Sequence, residues 1–275
     1  MNTKRIYSEN AAYQRFEVLK TNRSKRHKYG AFLVEGVKGI NEALRSGWRF
    51  QSFLYSFERP LSDWAACLLA GIPTDVNYEL PQALMDKLSE KADTSELLGI
   101  AYMKEEAAFA HAAQGGSPLF VLFDRPSNKG NLGTLLRSCD AFGVNGLLLT
   151  GHCVDLYDPE VVRASMGSFF RVPFARLGVN AEIEAVLSGL RREYPGLQLI
   201  GTTAHRQRTI NELDLTGPVL FMIGNEAEGL NRWLAEQCGA LATIPMRMEA
   251  AATSFNVSCA ATVLLYEAAR QRGFP

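Results

Sequence analysis

Apolar and polar positions divide the chain into two stretches of different texture. In the first, short patterned segments alternate. Tyr13–Lys28 reads as a basic helix, with Phe16, Leu19 and Lys20 on one face, followed by a basic turn, and Asn22-Arg23-Ser24-Lys25-Arg26-His27-Lys28 is its densest cationic stretch. Ala31–Gly36 reads as a strand that stops at a glycine. Val37–Ser46 has the spacing of an amphipathic helix, with Ile40 and Leu44 four residues apart. Phe50–Tyr55 follows as a strand, and Leu61–Ala70 and Pro81–Lys91 as helices. This alternation predicts a small α/β domain.

The small, polar segment Ala112–Ser117 separates that region from the next. Beyond it, Pro118–Phe123 is an almost unbroken apolar run, and similar runs stand at Gly146–Leu149, Leu197–Gly201, Val219–Ile223 and Ala242–Ile244. Such runs are strands buried on both faces, as in parallel sheets. Helical patterns at Leu132–Phe142, Ala181–Arg192, Leu230–Gln237 and Val257–Arg270 lie among them. The expectation is an N-terminal domain over 1–112 and a second domain over 118–275, an α/β fold with a parallel sheet and helices on both faces. Ligands of such sheets sit beyond the carboxyl ends of the strands. That rule singles out the loops after Phe123, Gly201, Ile223 and Ile244.

Composition sharpens this picture. The chain has 275 residues, 47% hydrophobic and 21% charged, enough apolar surface for packed cores. No apolar run approaches the roughly 20 residues of a membrane helix. The first ten residues are polar, with Lys4 and Arg5 and no apolar stretch behind them, unlike a signal peptide, so a cytoplasmic protein with no membrane partner is expected. Five cysteines, none in a C-x-x-C pair, and four scattered histidines (His27, His111, His152 and His205) argue against a metal site and a disulfide framework. The net charge is zero, yet residues 1–49 carry eleven Lys/Arg against four Asp/Glu. That basic end suits an anionic partner; a solvated, frayed terminus explains it as well.

Three of the strand-end loops hold candidate chemistry. Asp124-Arg125-Pro126-Ser127-Asn128-Lys129-Gly130-Asn131-Leu132-Gly133 leads into a helix with Arg137 on it. Helix amides beside cations favour an anion such as phosphate, although neither a Walker loop nor a dinucleotide fingerprint is present; a plain Gly-rich connection is the alternative. Gly224-Asn225-Glu226-Ala227-Glu228-Gly229 puts two carboxylates between glycines, fit for acid–base or metal work or simply for complementing a helix start. Ser254 and Asn256 precede a helix, where capping also accounts for them. With no histidine in these loops, a Ser/His/Asp hydrolase is disfavoured.

Taken together, the three loops resemble a known family. Asn131-x-Gly133-x-x-x-Arg137 with Ala141-Phe142-Gly143, then Gly224-Asn225-Glu226-x-x-Gly229-Leu230, then Ile244-Pro245-Met246 with Ser254-Phe255-Asn256-Val257-Ser258, stand in the order of the three motifs of SpoU-type (TrmH-like) RNA 2′-O-ribose methyltransferases of the SPOUT superfamily. Arg163-Ala164-Ser165-Met166-Gly167 is also similar. Phe32-Leu33-Val34-Glu35-Gly36 resembles the family's N-terminal RNA-binding domain. Ala227 stands where a glycine is usual, Phe255 where a leucine is usual, and the Met246–Ser254 stretch is longer than typical.

The resemblance implies a trefoil knot in the C-terminal domain, S-adenosylmethionine as cofactor, and a structured RNA as substrate, ribosomal RNA ahead of transfer RNA. It implies Gly224, Ile244, Phe255 and, more weakly, Thr202 around the cofactor. Arg137, Asn131, Glu226, Ser254 and Asn256 become the catalytic set, with Arg137 gripping a phosphate because a guanidinium does not act as a free base. Arg23, Lys25, Arg26 and Lys28 become candidates for RNA backbone contacts, and a homodimer is expected. The rival readings are a non-catalytic RNA-binding protein on the same fold and a small-molecule enzyme holding a nucleotide phosphate at Gly130–Gly133.

Overall fold

The computed structural model describes all residues except 1, 90, 105–115, 204–207, 248 and 275. The segment 112–115 of the expected linker, His111 and His205 lie outside the described residues. The chain forms two compact units, one taking Met1–Glu105 with Asp155–Arg171, the other Glu106–Val154 with Val172–Pro275. In chain order the elements begin with β1 Thr3–Arg5, α1 Ala11–Thr21, α2 Arg23–Tyr29, β2 Ala31–Glu35, α3 Val37–Arg45 and β3 Phe50–Ser56. Then come α4 Asp63–Gly71, β4 Asn77–Leu80, α5 Gln82–Leu88 and β5 Leu97–Tyr102. The remainder is β6 Leu119–Asp124, α6 Lys129–Ala141, β7 Gly146–Thr150, α7 Pro159–Ala164, β8 Phe174–Leu177 and α8 Asn180–Glu193, followed by β9 Gln198–Thr202, β10 Arg208–Thr209, β11 Val219–Ile223, α9 Arg232–Gln237, β12 Ala240–Thr243 and α10 Val257–Gln271.

The first unit has a five-stranded mixed sheet in the order β1-β4-β3-β5-β2, with β5 antiparallel to both of its neighbours. Of the basic helix and basic turn expected over Tyr13–Lys28, the helix is α1 and the turn is a second helix, α2. Asn22 is extended, donates its amide to Val18 O to close α1, and opens α2 by accepting from Lys25 N at 3.0 Å. Asparagine competes with helical hydrogen bonding through its own side chain, so a break there is cheap. The buried face of α1, Tyr13, Phe16 and Leu19, packs with Leu33, Leu54, Leu98 and Ile100 from the sheet.

The segment Asp155–Arg171 is held in this unit by rings and by charge. Phe32 lies 4.9 Å from Tyr157 and 5.6 Å from Phe169, and Trp48 lies 5.4 Å from both Phe169 and Phe170. Arg26 is 1% exposed. Its Nε donates to Asp155 Oδ2 at 2.7 Å, its Nη2 to Asp158 Oδ2 at 3.2 Å, and its Nη1 to the carbonyls of Leu19 and Lys20 at 3.0 Å each. Every face of the guanidinium is thus used inside the protein, and Arg26 has no surface to offer an RNA phosphate. The expectation for that residue is corrected: the densest cationic stretch supplies one structural ion, while Arg23 and Lys25 are half-buried and Lys28 is exposed.

The second unit has a seven-stranded sheet, β10-β12-β9-β11-β6-β7-β8, in which every pairing is parallel. The chain walks from β6 to β7 to β8 in one direction. It then builds β9, β11 and β12 on the other side of β6. The order therefore reverses between β6 and β11, which pair in register from Val219↔Leu119 to Ile223↔Phe123. Loops leaving neighbouring strands at such a reversal diverge and leave a crevice. α10 packs along α6, joined by a 2.6 Å hydrogen bond between the Ser138 and Thr262 hydroxyls. At its end Arg272 donates to the carbonyls of Leu215, Ser117 and Gly217 at 2.9, 2.8 and 2.6 Å. Among the described residues no helix is long and apolar enough to cross a membrane.

The burial of Arg26 separates it from its neighbours by experiment. Arg26→Ala leaves two buried carboxylates without their cation and is expected to cost about 3–5 kcal/mol of stability. Lys28→Ala on the exposed side is expected to stay within about 0.5 kcal/mol. Urea unfolding of the two variants checks this.

Candidate active site

Three of the expected catalytic residues meet at the reversal of strand order, in one chain of hydrogen bonds. Asn131 stands in the first turn of α6, its amide bonded to the Asn128 cap at 2.9 Å. Its Nδ2 donates to Glu226 Oε1 at 3.2 Å, and its Oδ1 accepts from Asn256 Nδ2 at 3.0 Å. Asn256 opens α10, with Oδ1 accepting from Ser258 N at 3.0 Å, Ser258 Oγ at 2.7 Å and Cys259 N at 3.4 Å. The direction of the chain follows from chemistry. A carboxylate only accepts, so Asn131 must turn its amide group to Glu226; its oxygen then faces Asn256, whose own oxygen is left for the helix amides.

The loop carrying Glu226 is itself tightly held. Asn225 and Gly229 exchange both backbone hydrogen bonds at 3.0 Å, and Asn225 Oδ1 accepts from the amides of Ala227 and Glu228 at 2.9 and 3.1 Å. Asn225 Nδ2 donates to Arg125 O at 2.7 Å, while the Arg125 guanidinium pairs with Glu228 and reaches Gly229 O at 3.3 Å. Arg125 adopts φ 50°. A left-handed backbone at a non-glycine residue costs about 1–3 kcal/mol and persists only where contacts over-determine it. Beneath it, Asp124 is 2% exposed and accepts from Thr150 Oγ1 at 2.8 Å, Asn231 N at 3.0 Å and Arg125 Nε at 3.1 Å. Gly224 is required by close approach: a Cβ there would lie 2.1 Å from Leu230 N and 2.2 Å from the Gly229 carbonyl carbon. Ala227 has no positive φ, unlike Gly229 at 70°, so the departure from glycine at 227 strains nothing.

Burial pushes the Glu226 carboxyl up, but the Ser127 hydroxyl at 2.7 Å, its own loop backbone, the Asn131 amide group and Ser127 N together outweigh that and hold it below the ordinary carboxylate value. Glu226 is therefore a carboxylate at neutral pH, suited to orienting donors rather than giving up a proton.

The other expected residues lie outside this chain. Arg137 is exposed on α6, six residues beyond Asn131 and so about 120° around the helix axis. It makes no hydrogen bond or ion pair among the described residues. Ser254 is exposed in the loop before Asn256. Thr202 ends β9 and is half-buried, as is Ile244 just past β12, while Phe255 is 44% exposed. Since β11 and β12 both pair with β9, Thr202, Gly224 and Ile244 stand at adjoining strand ends. Backbone groups past the last ladder bond, with apolar Ile244 and the uncovered Phe255 ring, fit an adenosine-bearing ligand, which needs apolar walls and a few fixed donors and acceptors. Sequence reasoning passed over Asp124, Arg125, Ser127 and Asn225 as individual actors. Asp124 ending an apolar run, and an Asn opening a Gly-bounded loop, were the signals available.

Comparison with known proteins follows the same lines. Residues 118–266 match the SpoU rRNA Methylase family and residues 10–99 the SpoU L30e-like domain. The chain is 37% identical to a 23S rRNA (uridine(2479)-2′-O)-methyltransferase of Streptomyces viridochromogenes over 98% of its own length and 93% of that protein's. The chain belongs to the SpoU rRNA methylase family. The resemblance carried by its three motifs is thereby borne out, as is the parallel α/β fold. Among solved structures, the SpoU methyltransferase AviRb of S. viridochromogenes in complex with AdoMet superposes with a TM-score of 0.89 at 37% identity, covering 96% of this chain and 98% of that one. An AdoMet-bound rRNA methyltransferase from Sinorhizobium meliloti gives 0.84 at 27% identity, covering 98% of each. As a SpoU methylase the chain is an RNA-modifying, S-adenosylmethionine-dependent enzyme.

Two tests address the site's construction. Gly224→Ala is expected to cost about 3 kcal/mol by forcing the 225–229 loop off the strand end, read by thermal unfolding. For Glu226 the sign is fixed by its lowered folded pKa: its stabilisation is full above the unfolded value of 4.5 and is lost as pH falls through the lower folded value. Wild type should therefore exceed Glu226→Gln in stability at neutral pH, with the gap closing in acid; a gap independent of pH would show that Glu226 is not held in this way.

Proposed function

We propose that this SpoU methylase transfers the methyl group of S-adenosylmethionine to a ribose 2′-hydroxyl of 23S rRNA. The observation that carries this reading is the hydrogen-bond chain Glu226–Asn131–Asn256, which ties all three motif loops together at the strand-order reversal. The similarity to a 23S rRNA 2′-O-methyltransferase over nearly the whole chain supports the choice of RNA. The N-terminal region, 1–112, holds the RNA, and 118–275 forms the methyltransferase domain, whose C-terminal end closes as the family's trefoil knot. The protein works in the cytoplasm, where its RNA is.

When bound, S-adenosylmethionine supplies a methyl group on a positively charged sulfur, open to displacement by an oxygen. Gly224, Ile244, Phe255 and Thr202 hold it at the strand ends. The protein's task is then alignment and charge. Glu226 fixes Asn131, and Asn131 fixes Asn256, so that the two amides and Ser254 orient the ribose. Arg137, which has no hydrogen-bond or ion-pair partner among the described residues, grips the neighbouring phosphate and stabilises the alkoxide as it develops, while the proton passes to a phosphate oxygen or water.

The functional unit is a homodimer, with one copy helping to present RNA to its partner. A row of uncovered apolar side chains supports this. Tyr266 is 49% and Val263 38% exposed on α10, and Tyr266 contacts Phe274, 46% exposed, at 5.4 Å and Phe142, at the end of α6, at 6.4 Å. Soluble monomers rarely leave contiguous patches of this kind open.

With tritiated S-adenosylmethionine and unmodified 23S rRNA, label should enter ribose 2′-O positions. Arg137→Ala should lower that rate at least about 100-fold while cofactor affinity holds. Cofactor binding with no transfer to any rRNA would favour a non-catalytic RNA-binding role and sink the proposal. Tyr266→Arg should shift the protein from dimer to monomer in sedimentation; an unchanged sedimentation coefficient would refute this dimer face.

A further inference from the structure

Resting on the reading of the chain as an RNA methyltransferase, we propose that an open groove of the N-terminal unit, lined by Gly47, Arg49, Tyr102, Met103 and Lys104, grips an unpaired stretch of the substrate RNA. The groove has a volume of about 430 Å³. It is distinct from the α2 stretch that the sequence singles out, and its basic residues come from the start of β3 and the end of β5.

Cations here are mounted on aromatic faces. Arg49 lies 5.6 Å over the Tyr102 ring, Lys104 Nζ 4.6 Å over Trp48, and Arg15 4.9 Å over Tyr29. Arg15 also reaches Gln51 Oε1 at 3.3 Å on the strand that carries Arg49. Met103 N donates to Gly30 O at 2.8 Å, which ties this end of the groove to the turn after α2. The hydroxyl of Tyr102 is tied to Asp75, which fixes the ring.

Among the described residues the two groove cations form no ion pair. Elsewhere on this unit Arg5 pairs with Glu79 and Arg45 with Glu42. Arg49 and Lys104 have no carboxylate partner among the described residues; Lys104 Nζ donates only to Ser46 O, at 3.0 Å. Burial pushes the Lys104 ammonium down, the mark of a cation partly stripped of water without an anion to compensate. Two cations beside ring faces suit phosphates flanked by bases, which stack on aromatic surfaces without sequence preference.

The test uses the full chain, unmodified 23S rRNA and three variants: Arg49→Glu, Lys104→Glu and, as a charge-matched control on α8, Arg192→Glu. Each groove reversal should weaken rRNA binding about tenfold at low salt and lower the slope of log K against log salt by about 0.7 per lost contact. The control should keep its RNA affinity, and all three should bind S-adenosylmethionine as the wild type does. In case the reversals disturb folding, wild type is crosslinked to 4-thiouridine-substituted rRNA, and the peptide containing Tyr102 should carry label. Unchanged affinity and salt slope in both reversals, or crosslinks confined to other peptides, would overturn the groove while leaving the methyltransferase reading intact. Saturable binding of free UMP in the groove, with rRNA failing to compete, would overturn it in favour of a small-ligand site. A wild type that binds no rRNA at all would take down both.

Discussion

Asp124 is the constraint from which the rest of the second unit's site follows. A carboxylate buried at the end of an apolar strand must be hydrogen-bonded on nearly every lone pair, because an unsatisfied buried charge costs more than the fold can bear. Its three donors come from the end of β7, from the amide of Asn231 before α9, and from the neighbouring Arg125. Meeting that requirement fixes where β7 stops, where α9 starts and how Arg125 turns. Arg125, once turned, presents its carbonyl to Asn225 and its guanidinium to Glu228. The loop bearing Glu226 is thus positioned by a residue with no part in the chemistry.

Polarity then propagates outward without choice. Each amide in the row from Glu226 to Asn256 has one end dictated by the neighbour before it, so the row ends as a helix cap. The side chain that starts α10 with its oxygen therefore holds Asn131 with its nitrogen. Capping and catalysis are usually weighed as alternative explanations of an asparagine at a helix start. Here Asn256 caps the helix through Oδ1 and holds Asn131 through Nδ2, different atoms of one side chain.

Much of this was legible in the sequence, for definable reasons. The doubly buried strands β6, β7, β9 and β11 announced themselves because both faces are apolar, and their loops stood out because glycines and polar residues cluster there. Short strands such as β1, β4 and β10 carried too few residues for any period. The helical state of Arg23–Tyr29 was hidden because its one buried residue is the charged Arg26, which leaves no apolar period to read. Arg26 was misjudged for a different reason: charge in sequence says nothing of which side of a helix faces inward. Its two carboxylates lie 129 and 132 positions away. The clasp of Arg125 with Glu228 was likewise out of reach, since it depends on a backbone angle that sequence alone does not favour for arginine. The family resemblance supplied the reaction; it did not supply the mounting of Arg49 and Lys104 on rings.

The grip of Arg272 on Ser117, Leu215 and Gly217 has a bearing on how the protein is made. It fastens the last residues of the second unit to the one just ahead of its first strand. On a ribosome, β6 and α6 emerge long before their closing partner, and α6 must wait with the flank that meets α10 uncovered. That unit matures only once α10 has been synthesised, whereas most of the first unit can assemble before then.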